Sequence, residues 1–348
     1  MPERTGITQV TQLGVETTAG TAVAANKLLP SLSIEPTIKP NVKGYRGSGF
    51  KVPTVHAAGK EWSEWKVSGA PTFDELIYMF ASMFTFGSPS TSDKSAKPVY
   101  LYVCDDVAEL RRRVTSAKTW GAAPSATAVD AGKSFTIEHG SSVRAEKSAY
   151  GILTELGLEW TPAEFSLSGT MLAKALQDGI TLTSSPTALA QIPILPGSCD
   201  VYLDSSGAAL GTTKLARCKK WSLKLGGRFN PFMVADSTNN SFAGLAEGPI
   251  DAKLELTLEA DAEGMALLDR LRDSAHVFPR IKFTDSRLAG AATVPYSMRI
   301  DCAGTVTDAG SFAVDEGLWV VPWSLDLAYD GTWGKWLDLQ VVNKLASL

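Results

Sequence analysis

Strict alternation of apolar and polar residues marks the stretch Asp251-Ala252-Lys253-Leu254-Glu255-Leu256-Thr257-Leu258-Glu259. Successive side chains of a β-strand point to opposite faces of a sheet, so Leu254, Leu256 and Leu258 would share one face. The charged residues would share the other face. The stretch therefore predicts a strand with one buried side and one solvated side.

A helical pattern follows this strand at residues 261–272. Met265, Leu268 and Leu271 recur at helical spacing, Asp261 stands near the start, and arginines stand near the end. Acidic residues at the beginning of a helix and basic residues at its end suit the helix dipole. We expect one amphipathic helix to lie on the sheet.

The same order of features occurs earlier in the chain. Residues 60–68 read as a strand, although Trp62 and Trp65 are three apart and predict a local bulge. Residues 71–84 have a helical pattern that Thr72 or Asp74 would open. In both halves a strand-like start and a stretch rich in glycine and proline precede this pair. The repeated order indicates a duplication.

The duplication predicts a mainly β fold of two tandem modules, each a β-sandwich or barrel with one flanking α-helix. At 348 residues the chain exceeds the size of a single typical core. Residues 135–138 and 151–169 find counterparts at 296–300 and 312–329, so the first copy carries an insertion at about residues 85–134. We assign residues 1–30 to an extended N-terminal arm, 31–180 to the first module, 181–197 to a linker and 198–348 to the second module.

Composition argues against several functional classes. The net charge of -4 lacks the basic excess of a nucleic-acid binder, and we interpret Arg111-Arg112-Arg113 as solvated surface. No apolar stretch is long enough to span a membrane, and no signal peptide is evident, so we expect folding in the cytoplasm. The scattered Cys104, Cys199, Cys218 and Cys302 predict unpaired thiols.

No catalytic or cofactor motif stands out. His56, His139 and His276 have no companion at metal-ligand spacing, and the glycine-rich run at residues 44–51 lacks the ending of a phosphate-binding loop. We expect no enzyme activity, no cofactor and no metal. A hydrolase with dispersed catalytic residues has no positive motif here.

The C-terminal tryptophans suggest an alternative function. Trp319, Trp323, Trp333 and Trp336 could stack on sugars, as in a β-sandwich carbohydrate-binding or adhesion protein. Cores and subunit interfaces also use tryptophan heavily. A role in the core or at an interface is the favoured interpretation.

Two long segments, residues 36–59 and 226–248, occupy equivalent places and are rich in Gly, Pro, Asn and Ser. Connections of this length without secondary structure are often functional. A pair of irregular hairpins is the alternative.

The run Gly14-Val15-Glu16-Thr17-Thr18-Ala19-Gly20-Thr21-Ala22-Val23, with Leu28-Leu29-Pro30-Ser31, resembles the opening of tail tube proteins of long-tailed bacteriophages. The segment from Leu156 to Thr170 is similar to the penultimate strands of that family. The resemblance implies modules whose strands join those of neighbours into a barrel around a lumen, and rings that stack into a virion tail assembled in the host cytoplasm. Most members are similar to one module and form six-subunit rings, so three chains of this length would supply the same six modules.

The resemblance also implies partners and surfaces. The chain would bind copies of itself and the tape-measure, tail-tip and terminator proteins, while DNA passes through the lumen without specific binding. The polar strand face suggests Glu255 and Glu259 as lumen-facing residues, where negative charge would keep DNA from adhering. The long segments suggest ring-to-ring contacts at the following residues: Gly44, Tyr45, Arg46, Phe50, Phe229 and Phe232.

Overall fold

A computed structural model of the chain describes residues 9–87, 89–91, 117–289 and 294–348. The predicted mainly β class is confirmed. The helices are α1 (Phe73–Met83), α2 (Ala262–Met265) and α3 (Leu267–Asp273). The strands are β1 (Val10–Val15), β2 (Lys27–Leu29), β3 (Leu32–Lys39), β4 (Val42–Tyr45), β5 (Val55–Ala58), β6 (Trp62–Gly69), β7 (Ser90–Thr91), β8 (Lys118–Ala122), β9 (Phe135–Gly140), β10 (Ala145–Trp160), β11 (Phe165–Ala173), β12 (Gln177–Ile180), β13 (Thr187–Ala188), β14 (Cys199–Asp204), β15 (Cys218–Gly226), β16 (Phe229–Phe232), β17 (Gly244–Glu247), β18 (Asp251–Glu259), β19 (His276–Leu288), β20 (Pro295–Cys302), β21 (Gly304–Ala309), β22 (Ala313–Asp315), β23 (Leu318–Leu327) and β24 (Leu337–Asn343).

One antiparallel sheet, here the long sheet, runs through both halves in the order β3–β6–β11–β10–β15–β18–β23–β21. Its first four strands come from the first half and its last four from the second, in the same relative order. The ladder between β10 and β15 joins them, with Leu156 opposite Leu225 and Trp160 opposite Trp221. The two halves therefore follow one another head to tail.

Each half adds an outer sheet. The first contains β13, β2, β1, β9, β10 and β12, and the second contains β14, β19, β20, β24, β8 and β7. By position β9 corresponds to β19, whereas residues 296–300 lie in β20. The predicted match of residues 135–138 with 296–300 therefore pairs β9 with β20, the strand after its positional counterpart β19. Such a mismatch arises because alternating strands resemble one another in sequence. The parts of the predicted insertion that the structure describes include β8, which pairs with β24 of the second half. Residues 92–116, with Cys104 and Arg111–Arg113, lie outside the described residues.

The leading segment contains a packed strand where we predicted an arm. Strand β1 pairs with β9 on one side and β2 on the other, and Leu13 is fully buried. Glu16, itself buried, accepts hydrogen bonds from Ser134 Oγ and Thr136 Oγ1. The prediction is wrong because polar residues of this segment find their partners inside the fold, which composition alone does not reveal.

Helix α1 begins as predicted at Thr72, whose side chain accepts from Glu75 N at 3.2 Å while Glu75 Oε2 accepts from Thr72 N at 2.9 Å. This reciprocal capping box satisfies two otherwise unpaired donors. The second helical pattern forms two short helices, α2 and α3. Asp261 caps α2 by accepting from Gly264 N at 2.8 Å.

A continuous hydrophobic cluster contains residues of both halves. Phe165 from the first half lies between Trp221 and Phe283 from the second, with ring centroids 6.0 and 4.9 Å away. The segment predicted as a linker is packed as well: Trp160 Nε1 donates to Pro196 O, and Arg287 donates to Pro193 O. The module boundaries themselves stay a prediction.

The predicted bulge at Trp62 and Trp65 is wrong. Strand β6 pairs in continuous register with β3 and β11, so Trp65 is fully buried while Trp62 lies half-buried on the opposite face. The two long segments contain hairpins, β4–β5 and β16–β17, in agreement with the alternative interpretation.

Candidate assembly surfaces

The solvent side of the long sheet, here the polar face, is lined with charged residues. Glu255 and Glu259 lie on this side of β18, while Leu254, Leu256 and Leu258 on the other side are almost completely buried. The predicted alternation is thus present, and the lumen-facing role of these glutamates stays a prediction. Carboxylates outnumber lysines on the polar face, whose strands carry the charged residues Glu35, Lys39, Glu64, Lys66, Glu155, Glu159, Lys220, Lys224, Asp251, Lys253, Glu255, Glu259, Asp308 and Asp326.

Ion pairs cross the strands of this face. Lys39 Nζ lies 3.0 Å from Glu64 Oε2, and Lys220 Nζ lies 2.5 Å from Glu159 Oε1. The second pair links β15 to β10 and so crosses the junction of the halves. Glu259 accepts from Arg217 at 2.6 Å, and this bond raises the pKa of the guanidinium. Because at least one side chain of each pair is well exposed, each pair contributes little to stability.

The long sheet has two outer edges. Among the described residues, no strand pairs with β3 on the side away from β6, and none pairs with residues 306–309 on the side of β21 away from β23. The edge of β3 is protected by side chains. Leu32 N donates to Glu75 Oε1 at 3.0 Å, Ile34 N donates to Thr11 Oγ1 at 3.4 Å, and Pro36 has no N–H. Such devices prevent indiscriminate pairing of edge strands.

The end of the long sheet where β3 and β15 finish and β6 and β18 begin, here the loop end, carries both hairpins. The β16–β17 hairpin and its tip lie against the first half. Phe242, fully buried, packs on Tyr150 with ring centroids 5.4 Å apart. Arg228, which directly precedes β16, is buried between Asp130 and Glu247 and donates to Met83 O. The predicted contact residues Phe229 and Phe232 belong to this docked hairpin, where Phe229 lies under the Arg228 guanidinium.

The β4–β5 hairpin stands free. Gly44, Tyr45, Arg46 and Phe50 lie on it; Tyr45 and Phe50 are 51% and 60% accessible. The hydrogen bonds described for residues 42–58 all stay within the hairpin or its base. The sequence pattern predicts the same role for both long segments. In the structure, the β16–β17 hairpin packs against the first half, whereas the β4–β5 hairpin is uncovered.

The C-terminal tryptophans do not form one platform. Trp323 and Trp336 belong to the core. Trp319 is exposed at the opposite end of the long sheet, beside Phe312, and Trp333 packs on Phe278. The sugar-stacking interpretation gains no continuous aromatic surface from this arrangement.

The described part of the chain contains unpaired thiols and no grouped metal ligands. Cys199, Cys218 and Cys302 are free there, and burial raises the pKa of the Cys199 and Cys218 thiols to about 12. Across residues 9–87, 89–91, 117–289 and 294–348, no three His, Cys, Asp or Glu side chains are grouped to hold a metal ion. Within the same ranges no helix has the length and apolar character needed to cross a membrane.

Comparison with known proteins finds similarity among solved structures. No family model and no curated protein matches the chain. A hybrid structure of the SPP1 tail tube, obtained by solid-state NMR and cryo-electron microscopy, is similar at a TM-score of 0.28 and 16% sequence identity. The match covers 43% of this chain and 79% of that one. The similarity is too weak to assign a function.

Proposed function

We propose that this chain is a structural subunit of a bacteriophage tail tube. Three chains would close a pseudo-sixfold ring, and rings would stack around a lumen through which the genome passes. The subunit has no catalytic role and no cofactor. It would be assembled in the host cytoplasm, reside in the virion tail, and contact the tape-measure, tail-tip and terminator proteins.

The β10–β15 ladder is the observation that carries this proposal. It joins two four-stranded units of the same strand order, head to tail, within one chain. The rotation and translation that relate the first four-stranded unit to the second, applied once more, would set β3 of a second chain against β21 of the first. Head-to-tail contacts of this kind generate rings when the rotation closes. Closure would also cover the unpaired edge of β21 and the edge of β3 beyond its protected residues 32–36.

The polar face supports the lumen assignment. The opposite side of the long sheet is the hydrophobic core, so the polar face is the side available to line a channel. Its excess of carboxylates would repel the phosphates of passing DNA. Replacing Glu255→Lys and Glu259→Lys should leave tubes intact and slow DNA delivery in low salt. Unchanged delivery by intact tubes would contradict the lumen role of these glutamates.

The edge of β3 offers a direct test of ring closure. Strand alternation directs the N–H of Ile38, like those of Leu32 and Ile34, away from β6. Ile38→Pro removes this donor and leaves the β6 ladder untouched, whereas the control Ile38→Thr keeps it. Ile38 is 50% exposed, so both variants should fold as the wild type does.

Negative-stain electron microscopy of concentrated, mildly warmed protein provides the measurement. The wild type and Ile38→Thr should give rings or hollow tubes with threefold or pseudo-sixfold end views, and Ile38→Pro should give neither. A wild type that remains monomeric under all conditions would contradict the proposal and direct attention to glycan binding.

A further inference from the structure

The β16–β17 loop of the second module packs against the first module. Its tip lies over the loop ends of three neighbouring strands, β10, β11 and β6. Lys60 Nζ donates to Asp236 O at 2.8 Å and also to Asn239 O. Glu61 N donates to Asn240 O at 3.0 Å. The loop is therefore anchored at the start of β6.

Further contacts secure the same tip. Ser241 Oγ donates to Glu61 O at 2.7 Å and accepts from Ala175 N at 3.2 Å, where β11 has just ended. Phe242 covers Tyr150 on β10. The second module thus holds the first by hydrogen bonds and one buried aromatic contact, in addition to the strand ladder.

The β4–β5 hairpin has the same place in its own module, since it connects β3 to β6 as β16–β17 connects β15 to β18. In the described part of the chain, no module lies beside it. Its exposed surface is apolar, with Val42, Tyr45, Phe50, Val52 and Val55 all more than half accessible. Several large apolar side chains exposed on one hairpin indicate an interaction site.

The hairpin is also basic. Lys43, Arg46 and Lys51 lie within residues 40–59, and that range contains no acidic residue. The loop end of β18 and β23 in the second module carries carboxylates, with Lys253 two residues from Asp251. Asp251 is exposed there, Asp330 is partly exposed, and Tyr329 is 51% accessible. The charges and apolar groups of the two surfaces are complementary.

We propose that the β4–β5 hairpin clamps the second module of a neighbouring copy within the same ring, over the loop ends of β21, β23 and β18. Phe50 packs near Tyr329, and the basic residues face Asp251 and Asp330. The partner is a second copy of this chain. The clamp rests on the proposed ring, and it gives the hairpin a lateral role in place of the ring-to-ring role predicted from the sequence.

Site-specific photo-cross-linking in assembled particles tests the clamp. A photoreactive residue at Phe50, in a mixture of light and isotope-labelled chains, should link to an intermolecular peptide that contains Tyr329. A photoreactive residue at Phe312, which is 56% exposed at the opposite end of the sheet, is the matched control and should not. Links from Phe50 to residues 312–320 would overturn the clamp in favour of ring stacking.

Paired substitutions give a second readout. Tyr45→Ala with Phe50→Ala should lower the ring fraction about tenfold at equal protein concentration, as loss of an interface anchor does. The monomer should melt as the wild type does. Tyr329→Ala should have the same effect, whereas Val314→Ala with Trp319→Ala should leave ring formation unchanged. Intact rings without tubes in the hairpin variant would contradict the lateral clamp.

Two other outcomes separate the clamp from its alternatives. If Lys43→Ala with Arg46→Ala and Lys51→Ala abolishes binding to duplex DNA and leaves rings unchanged, the hairpin is a DNA contact and the clamp is wrong. A wild-type chain that never assembles contradicts the proposed function together with the clamp. Assembled rings that cross-link elsewhere contradict the clamp alone.

Discussion

Helix α1 and the pair α2–α3 occupy corresponding positions after β6 and β18, yet their surroundings differ. Every residue of α1 is buried, whereas only Leu267 is buried in α3. The second module covers α1: Phe73 packs on Tyr296 with ring centroids 5.6 Å apart, and Asn343 Nδ2 donates to Asp74 Oδ1 at 2.7 Å. Elements with the same local role thus become core or surface according to whether a module lies beside them.

Substitutions at the junction of the modules should lower the free energy of unfolding more than substitutions in the hairpins, at the helix caps or at Asp74. Trp221 is fully buried against Phe165 and Phe283, so Trp221→Ala should lower the free energy of unfolding by about 3–5 kcal/mol. Trp319→Ala, at 61% exposure on the uncovered side, should change it by less than about 0.5 kcal/mol. Denaturant titration measures both, and similar losses would show that the junction is not special.

The docked and free loops provide a second contrast. Phe242→Ala empties a buried site and should cost about 3 kcal/mol, whereas Phe50→Ala should leave the stability of the monomer within about 0.5 kcal/mol of the wild type. Thermal unfolding of dilute, unassembled protein separates the two. A large loss for Phe50→Ala in the monomer would mean that the hairpin packs on its own chain.

Removing the buried N-cap of α1 should destabilise the protein more than removing the exposed N-cap of α2. Thr72 is fully buried, and its partner Glu75 also accepts from Ser31 N, so Thr72→Ala should cost about 2 kcal/mol. Asp261, at the start of the exposed α2, has water as a substitute partner, and Asp261→Ala should cost about 0.5–1 kcal/mol. Equal costs in denaturant titrations would show that burial of the cap is irrelevant.

The smallest expected effect is a pH dependence of the free energy of unfolding, caused by Asp74 in the buried helix α1. Burial raises the pKa of Asp74 above its ordinary value of 3.8, so the folded chain binds this proton more tightly than the unfolded chain does. The contribution is therefore favourable at low pH and is lost as the pH rises through the raised pKa. A tenfold difference in proton affinity between the two states corresponds to about 1.4 kcal/mol.

The variant Asp74→Asn removes this titration and keeps the size of the side chain. The free energy of unfolding of the wild type should fall relative to that of Asp74→Asn as the pH rises from about 4 to about 7, above the ordinary pKa of an aspartate. Denaturant titrations of both proteins across this range measure the difference. A difference that stays constant with pH would contradict the prediction.

Much of the local structure could be predicted from the sequence. The alternation at Asp251–Glu259, the helix α1 and its cap at Thr72 all appear as expected. The placement of Glu255 and Glu259 on the solvated side follows from the same alternation. Each of these features depends on residues two to four positions apart, which a single sequence displays directly.

Other features could not be predicted in this way. The segment of β1 has the composition of an arm, because the polar residues in and just after it gain their partners from β9 and Ser134, which are distant in the chain. The pairing of β8 with β24 joins the predicted insertion to the outer sheet of the second half. The difference between the docked and the free hairpin was not evident from the Gly, Pro, Asn and Ser content that both segments share.

A mainly β chain with a repeated order of strands and helices follows from the amino-acid sequence alone, because hydrophobic period and capping act between near neighbours. The joining of the two halves through β10 and β15, and the unpaired edges at β3 and residues 306–309, are set at the tertiary level. Ladder partners far apart in the chain are selected by the packing of whole sheets around a shared core. Which surfaces remain uncovered for a neighbour follows from that packing.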